Sequence, residues 1–276
     1  MPNRVLVQAL TAGRARDYLR MVRPLLRSLE LTHHFELEVI TDSNGLSFTR
    51  AGVILAASDQ ALAPAQAEEL TRFVRRGGGV VLVGGTLAAW NTQGAIGELA
   101  HWAPIGPGPM TELVLGVEPL HPITARLGSE LRLTDELYLS EGPPADASVL
   151  LRTKWQFTDQ VVAYEREVGE GRFINLGLGN SASTYEDVSF QKLVHRSLLF
   201  AAGQRPPAPV GVGLVGYGAI ARDHAASISQ VAGLRLSGVC DISDERRDLA
   251  SREWGVPAHA TMGAMLDDPA VGLVVV

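Results

Sequence analysis

Cysteine is almost missing: Cys240 is the one cysteine among 276 residues. That excludes an intrachain disulfide framework and a thiolate-rich metal site, and it suits a reducing cytoplasm. A basic excess is missing too. The 24 Lys and Arg are outnumbered by 30 Asp and Glu, for a formal net charge of −6, so the positive face of a general nucleic-acid binder is not expected. No apolar run approaches the ~20 residues that span a bilayer as a helix, and no membrane partner is expected. The opening MPNRVLVQAL has neither the apolar core nor the small-residue cleavage site of a leader peptide; it reads as a first strand. Internal repeats and low-complexity tracts are absent. What remains, 46% hydrophobic and 20% charged, is ordinary globular composition, long enough for about two domains.

The most informative stretch is VGLVGYGAIARDHAASISQVAGLRLSGVCD, residues 212–241. An apolar run enters Gly216-Tyr217-Gly218-Ala219-Ile220-Ala221, a G-x-G-x-x-A turn, and a helical segment follows. Gly216 allows the tight turn, Gly218 lets a pyrophosphate approach the backbone, and Ala221 permits close helix–sheet packing. The N–H groups and positive end of the helix face the phosphates. A second apolar run, 234–240, ends at Asp241, whose carboxylate suits a ribose 2′-OH. The predicted cofactor-binding residues are therefore Gly216, Gly218, Ala219, Ile220, Ala221 and Asp241. Asp241 favours NAD by repelling a 2′-phosphate, while Arg246 and Arg247 close by leave NADP open. Cys240 reads as a small buried strand residue and His224 as an exposed helix residue.

Upstream, residues 4–9 read as a strand. A helix follows with Tyr18, Val22, Leu25, Leu26 and Leu29 on one stripe. Strands are expected at 35–40, 52–57 and 80–83, with a helix opened by Pro64 and closed by Gly77. The order β-α-β-β-α-β implies a parallel sheet covered on both faces. Residues 103–122 hold five prolines and are expected to be mostly loop. Strands at 147–153 and 160–167, a turn at Gly169-Glu170-Gly171 and a return strand at 172–176 suggest a hairpin. An apolar helix is expected over 189–202. Residues 204–210, rich in proline, read as a stiff linker between a domain at 1–203 and another at 211–276.

His121-Pro122-Ile123-Thr124, Asp135-Glu136-Leu137-Tyr138, Gly169-Glu170-Gly171-Arg172-Phe173, Leu176-Gly177-Leu178-Gly179-Asn180, Tyr185-Glu186-Asp187 and Phe190-Gln191 make the first domain resemble the ThuA-like, trehalose-utilisation family. The resemblance implies an α/β fold like that of class I glutamine amidotransferases (flavodoxin-like) and a link to sugar metabolism. Two positions depart from the family's pattern: Gly84 and Asn180 stand where histidines are usual. The nucleophilic cysteine of amidotransferase chemistry is lacking at Gly84-Gly85-Thr86, which leaves Thr86 as an unsupported nucleophile or as part of a structural turn. His121, Asp135, Glu136 and Tyr138 are candidate pocket residues for a sugar hydroxyl or a metal; the alternative is that His121 and Tyr138 fix loops by hydrogen bonds while the acids are solvated. His33-His34 reads as a surface turn and His195 as a core-edge or surface residue rather than a ligand. Trp90, Trp102 and Trp155 suit a sugar site or plain packing.

Residues 211–276 resemble the front of Gfo/Idh/MocA-type oxidoreductases through the glycine turn, Val239-Cys240-Asp241, Asp244-Glu245-Arg246, Trp254-Gly255-Val256 and Asp267-Asp268-Pro269-Ala270-Val271. That resemblance implies a partial Rossmann domain and NAD(P)-dependent hydride transfer on sugars or polyols. The final Gly272-Leu273-Val274-Val275-Val276 reads as a buried central strand, so a longer parent protein is expected, with its Lys-Pro catalytic segment further on. No catalytic residue is assigned and no metal is expected. The expected partner is a sugar-like small molecule, in a cytoplasmic protein whose oligomeric state, a homo-oligomer included, stays open. The leading reading is an oxidoreductase of sugar or polyol metabolism. The alternatives are a non-catalytic carbohydrate- or partner-binding module and a hydrolase or transferase using His121 with an acid.

Overall fold

A computed structural model describes residues 4–13, 18–90, 94–125, 127–140, 142, 144, 146–204, 209–231 and 234–276. Residues 205–208, the centre of the expected linker, lie outside the described residues. The chain divides into two compact units, Met1–Pro206 and Pro207–Val276. Among the described residues, no helix is long and apolar enough to cross a membrane.

The first unit opens with β1 (Val5–Ala12), α1 (Tyr18–Leu31), β2 (Phe35–Ile40), β3 (Val53–Ser58), α2 (Pro64–Arg75) and β4 (Gly79–Val83), the order read from the sequence. It continues with α3 (Thr86–Ala89), α4 (Ala95–Ala100), β5 (Gly106–Val117), β6 (Glu130–Leu139), β7 (Ser148–Trp155), β8 (Thr158–Val168), β9 (Gly171–Asn175), α5 (Ala182–Glu186) and α6 (Val188–Ala201). Nine strands form one sheet in the order β2-β1-β3-β4-β9-β8-β7-β5-β6. The first five of these neighbours run parallel and the rest antiparallel.

Strand periodicity sorts the core onto two faces. Val53, Leu55, Ala57, Val81 and Val83 face α1 and α6, which contribute Val22, Leu25, Leu29, Leu193 and Leu198. Ile54, Ala56, Val80 and Leu82 face α2 to α4, with Leu70, Val74, Leu87 and Leu99. Pro24 lies inside α1, so burial of the Val22–Leu29 stripe, more than helix propensity, holds that helix.

Within 103–122, expected to be mostly loop with short extended pieces, Gly106–Val117 form the twelve-residue strand β5. Its prolines survive because its register on β6 shifts between Pro107 and Met110, and only Gly116 and Val117 pair with β7; the missing N–H groups fall where the ladder is broken or one-sided. Sequence reading also missed β6, whose inward positions Leu131, Leu133, Asp135 and Leu137 are buried.

The second unit contains β10 (Val210–Val215), α7 (Ala221–Gln230), β11 (Leu234–Cys240), α8 (Asp244–Trp254), β12 (Ala258–His259), α9 (Met262–Leu266) and β13 (Leu273–Val275). Its parallel sheet runs β12-β11-β10-β13, the strand order of one half of a dinucleotide fold. The terminal apolar run does pair beside β10, but it is not buried: β13 has one strand neighbour and Leu273 is exposed. Cys240 is buried and His224 exposed, as read from the sequence.

Candidate functional site

In an α/β sheet, ligands collect at the carboxyl ends of the parallel strands. At that end of the first unit lies a cleft of about 390 Å³. Ser58 and Asp59 reach it from the end of β3, Gly85 from the turn after β4, and Ala88 and Ala89 from α3. Tyr18 and Met21 come from α1, Glu136 and Tyr138 from β6, and Gly179 and Asn180 from the loop after β9.

A buried acid holds this arrangement. Asp135 is fully buried. Its Oδ2 accepts from the Gly179 N–H at 2.7 Å, and its Oδ1 accepts from the N–H groups of Asn180 at 3.0 Å and Glu136 at 2.8 Å. Burial pushes its carboxyl above the ordinary range despite those bonds. Asn180 ties the other side: its Oδ1 accepts from the Gly85 N–H at 2.8 Å, and its Nδ2 donates to the Glu136 carbonyl at 3.3 Å. Burial, then the nearby Asp135, raises Glu136; burial, then Glu136, raises Tyr138; burial pushes Tyr18 up to about 12.

The two departures at Gly84 and Asn180 prove to be neighbours. Gly84 has φ of +62°, and a Cβ there would stand 2.8 Å from the Gly179 carbonyl oxygen and 3.0 Å from Asn180 Oδ1. A side chain is excluded at residue 84 by the chain carrying residue 180. Thr86 is fully buried; its hydroxyl donates toward the Val83 and Ala56 carbonyls and accepts from the Ser58 N–H at 2.9 Å. That hydroxyl is spent on the turn, and the Gly85 N–H, a candidate oxyanion donor, is spent on Asn180.

Of the four polar candidates, the structure brings Asp135, Glu136 and Tyr138 together and sends His121 elsewhere. His121 Nδ1 accepts from the Ile123 N–H at 3.2 Å, its Nε2 lies 3.4 Å from Glu165, and its ring meets Phe200 edge-on. It fixes a loop. Trp90, Trp102 and Trp155 do not line the cleft; Trp90 is core. His33 makes an exposed turn at φ of +57°, and His195 is buried 2.9 Å from His34. Among the described residues no group of three or more His, Cys, Asp or Glu is arranged to hold a metal.

The glycine turn of the second unit fits a dinucleotide phosphate. Gly216 has φ of +83°, and a Cβ built on Gly218 meets nothing within 4 Å, leaving its side of the turn open. Among the described residues, the N–H groups of Gly218, Ala219 and Ile220 make no hydrogen bond. Ala221, at the start of α7, is buried against the sheet, while Ile220 is exposed. Asp241 accepts from the Tyr217 N–H at 2.7 Å and the Ser243 N–H at 2.8 Å. Burial works against its charge, but those bonds and Arg246 prevail and hold the carboxyl below the ordinary range. Each carboxylate oxygen thus accepts one N–H group of the turn or of the segment after β11, and the side chain is buried. The two arginines differ: Arg247 donates to the Asp241 carbonyl and pairs with Asp244, whereas Arg246 is exposed, 3.7 Å from the Asp241 carboxylate. Tyr217, between the two glycines, was given no part in the sequence reading. It is buried, and its hydroxyl bonds to Glu253 and accepts from Trp254 Nε1 at 2.8 Å, tying the turn to the end of α8.

A family model described as trehalose utilisation, ThuA, matches residues 4–201. A second, described as an oxidoreductase family with an NAD-binding Rossmann fold, Gfo/Idh/MocA, matches residues 210–276. Among solved structures, a ThuA-like protein from Parabacteroides merdae is similar at a TM-score of 0.63 and 16% identity, over 75% of this chain and 94% of that one. Another from Bacteroides uniformis has a TM-score of 0.59 at 16% identity, over 71% and 89%. A β-galactosidase from Bacillus circulans sp. alkalophilus has a TM-score of 0.56 at 13% identity, over 75% of this chain and 32% of that one. At these identities the likeness is one of fold. No curated protein matches the chain in sequence.

Proposed function

Because the chain belongs to the ThuA, trehalose-utilisation family over residues 4–201 and matches an NAD-binding Rossmann model over 210–276, we propose that it acts in the NAD-dependent oxidation or reduction of a sugar or polyol. The dinucleotide is taken by the second unit. When bound, the nicotinamide supplies hydride transfer. The residues of this chain bind and orient: the free N–H groups of Gly218, Ala219 and Ile220 for the pyrophosphate, and Asp241 for the ribose. The observation that carries the reading is the open side of Gly218 beside a carboxylate already anchored to the same turn. NAD is favoured over NADP because Asp241 is held ionised, and exposed Arg246 is the residue that would admit a 2′-phosphate.

The first unit contributes binding rather than covalent catalysis in this reading, since Thr86 is spent and His121 lies on Glu165. A cytoplasmic setting fits the single buried cysteine. Calorimetry with NAD and NADP tests the cofactor half. NAD should bind the wild type, and Asp241→Ala should weaken it at least about tenfold by removing a charge-assisted bond to ribose. No NAD binding, or equal binding by both proteins, would overturn the reading.

A further inference from the structure

The hairpin between β7 and β8 ends in a feature its own fold does not use. Trp155 pairs with Thr158, so the turn is Gln156-Phe157 alone, and both residues have positive φ, +46° and +68°. Two-residue turns of this hand favour asparagine and glycine; a phenylalanine there is strained by its own Cβ. The ring gains no burial in return, because Phe157 is fully exposed. Backbone outliers of this kind cluster at functional positions. β8 runs antiparallel to β9, and Tyr164 pairs with Asn175, the last residue of β9. The turn therefore stands well beyond the carboxyl end of β9.

The opposite end of the same sheet carries a hollow of about 450 Å³. Gly52 lines it just before β3 and Gly78 just before β4, so it opens at the amino ends of the parallel strands. Phe48 and Phe73 form its apolar wall, their ring centroids 6.0 Å apart and their planes tilted by 55°. A third ring can meet such a pair edge-on, an arrangement aromatic side chains prefer. The charges match as well. Lys154 and Asp159 face each other across the hairpin beside the turn, and Glu69 and Arg76 stand on the hollow; all four are exposed. A tip with one cation and one anion thus meets a rim with one anion and one cation. The chain cannot seat its own tip in its own hollow, because the sheet lies between them.

We propose that Phe157 of one copy packs against Phe48 and Phe73 of a second copy, with Lys154 toward Glu69 and Asp159 toward Arg76, so that the chain associates head to tail. Such a contact joins two different surfaces and adds copies in one direction. One hairpin tip in one hollow is a small interface, which places the association among the weak and transient ones. Neither surface includes a residue of the cleft or of the nucleotide turn, so the inference does not rest on the proposed function.

Sedimentation velocity on the full chain tests this, from about 10 μM to about 1 mM, where a weak contact becomes populated. The weight-average sedimentation coefficient of wild type should rise across that range. Phe157→Gly should associate at least about tenfold more weakly. It should melt no lower than wild type, because glycine takes the positive φ freely. Thr49→Trp, at an exposed position of the hollow, should fill it and also stay monomeric. Mixed together, the two variants should form one-to-one dimers and nothing larger, since the first keeps the hollow and the second keeps the tip. A wild type that stays monomeric throughout, or Phe157→Gly that associates as wild type does or melts lower, would overturn the proposal. So would a mixture that stays monomeric or grows past the dimer.

Discussion

Asp135→Asn probes how the cleft is held, because two opposing terms must be weighed. The carboxylate accepts three N–H groups, two on Oδ1 and one on Oδ2. An amide has one oxygen. It can keep the Asn180 and Glu136 N–H groups, but its Nδ2 then faces the Gly179 N–H, donor against donor. One buried donor left unsatisfied costs ~1–3 kcal/mol, and losing the charge on the acceptor weakens each of the other two bonds by ~0.5–1 kcal/mol. Against this, the amide relieves the burial of a charge, which the raised carboxyl value shows to be unfavourable; that offsets part of the loss. The losses sum to ~2–5 kcal/mol, and the net expectation is a smaller loss at neutral pH, read as a lower urea midpoint with unchanged m-value, with faster amide exchange at residues 176–181. The pH dependence carries the sign. A carboxyl raised in the folded state binds its proton more tightly there than when unfolded. Its contribution to wild-type stability is therefore greatest below the ordinary carboxylate range and falls as pH rises through the raised value. Asp135→Asn lacks that fall, so the gap between the two proteins should narrow with rising pH. Equal or greater stability of the variant at neutral pH, or a gap independent of pH, would refute the reasoning.

Gly218→Val places a side chain where a Cβ meets nothing within 4 Å, so the melting temperature should hold while NAD affinity measured by calorimetry drops at least about tenfold by steric exclusion of the pyrophosphate. Gly84→Ala combines a φ of +62° with a Cβ 2.8 Å from the Gly179 oxygen; denaturant melts should show a loss of ~2–4 kcal/mol from strain and broken loop bonds. His195 is held down to about 4, by burial first and then by His34 and Arg196, from an ordinary 6.5. The unfolded chain binds that proton first, so wild-type stability should fall by roughly 3 kcal/mol as pH drops between those values. His195→Leu should flatten that acid limb in pH-resolved melts.

The parallel half of the first sheet was legible because β1, β3 and β4 are predominantly apolar runs set among helix signals. β5 and β6 were not. Pro107 and Pro109 mark β5 as loop, and only the bulge opposite β6 makes them tolerable. β6 alternates well, but one of its inward positions holds Asp135, an acid where the pattern expects an apolar residue. The strand, glycine turn and helix of the second unit were legible because they lie within thirty residues, whereas the tie of Tyr217 to Glu253 and Trp254 was not. The cleft was readable only in part. Asp135, Glu136 and Tyr138 came to notice through the family resemblance, whereas Asp59, Ser58 and Tyr18 carry no signal of their own. Asn180 meets Gly85 across 95 positions, a contact that only the sheet order produces. His121 came to notice through the same resemblance, and the structure places it on Glu165 instead of in the cleft.

The contact between Gly84 and the chain at 179–180 also shapes how this protein can change. A histidine introduced at residue 84 alone collides with the Gly179 oxygen, and a histidine at 180 alone removes the acceptor of the Gly85 N–H. Each single step is unfavourable while the other residue stays as it is. A library that varies these positions one at a time would report two intolerant sites; only joint variation would reveal whether another solution exists. The two positions are coupled by geometry, so the tolerance of each depends on the residue held at the other.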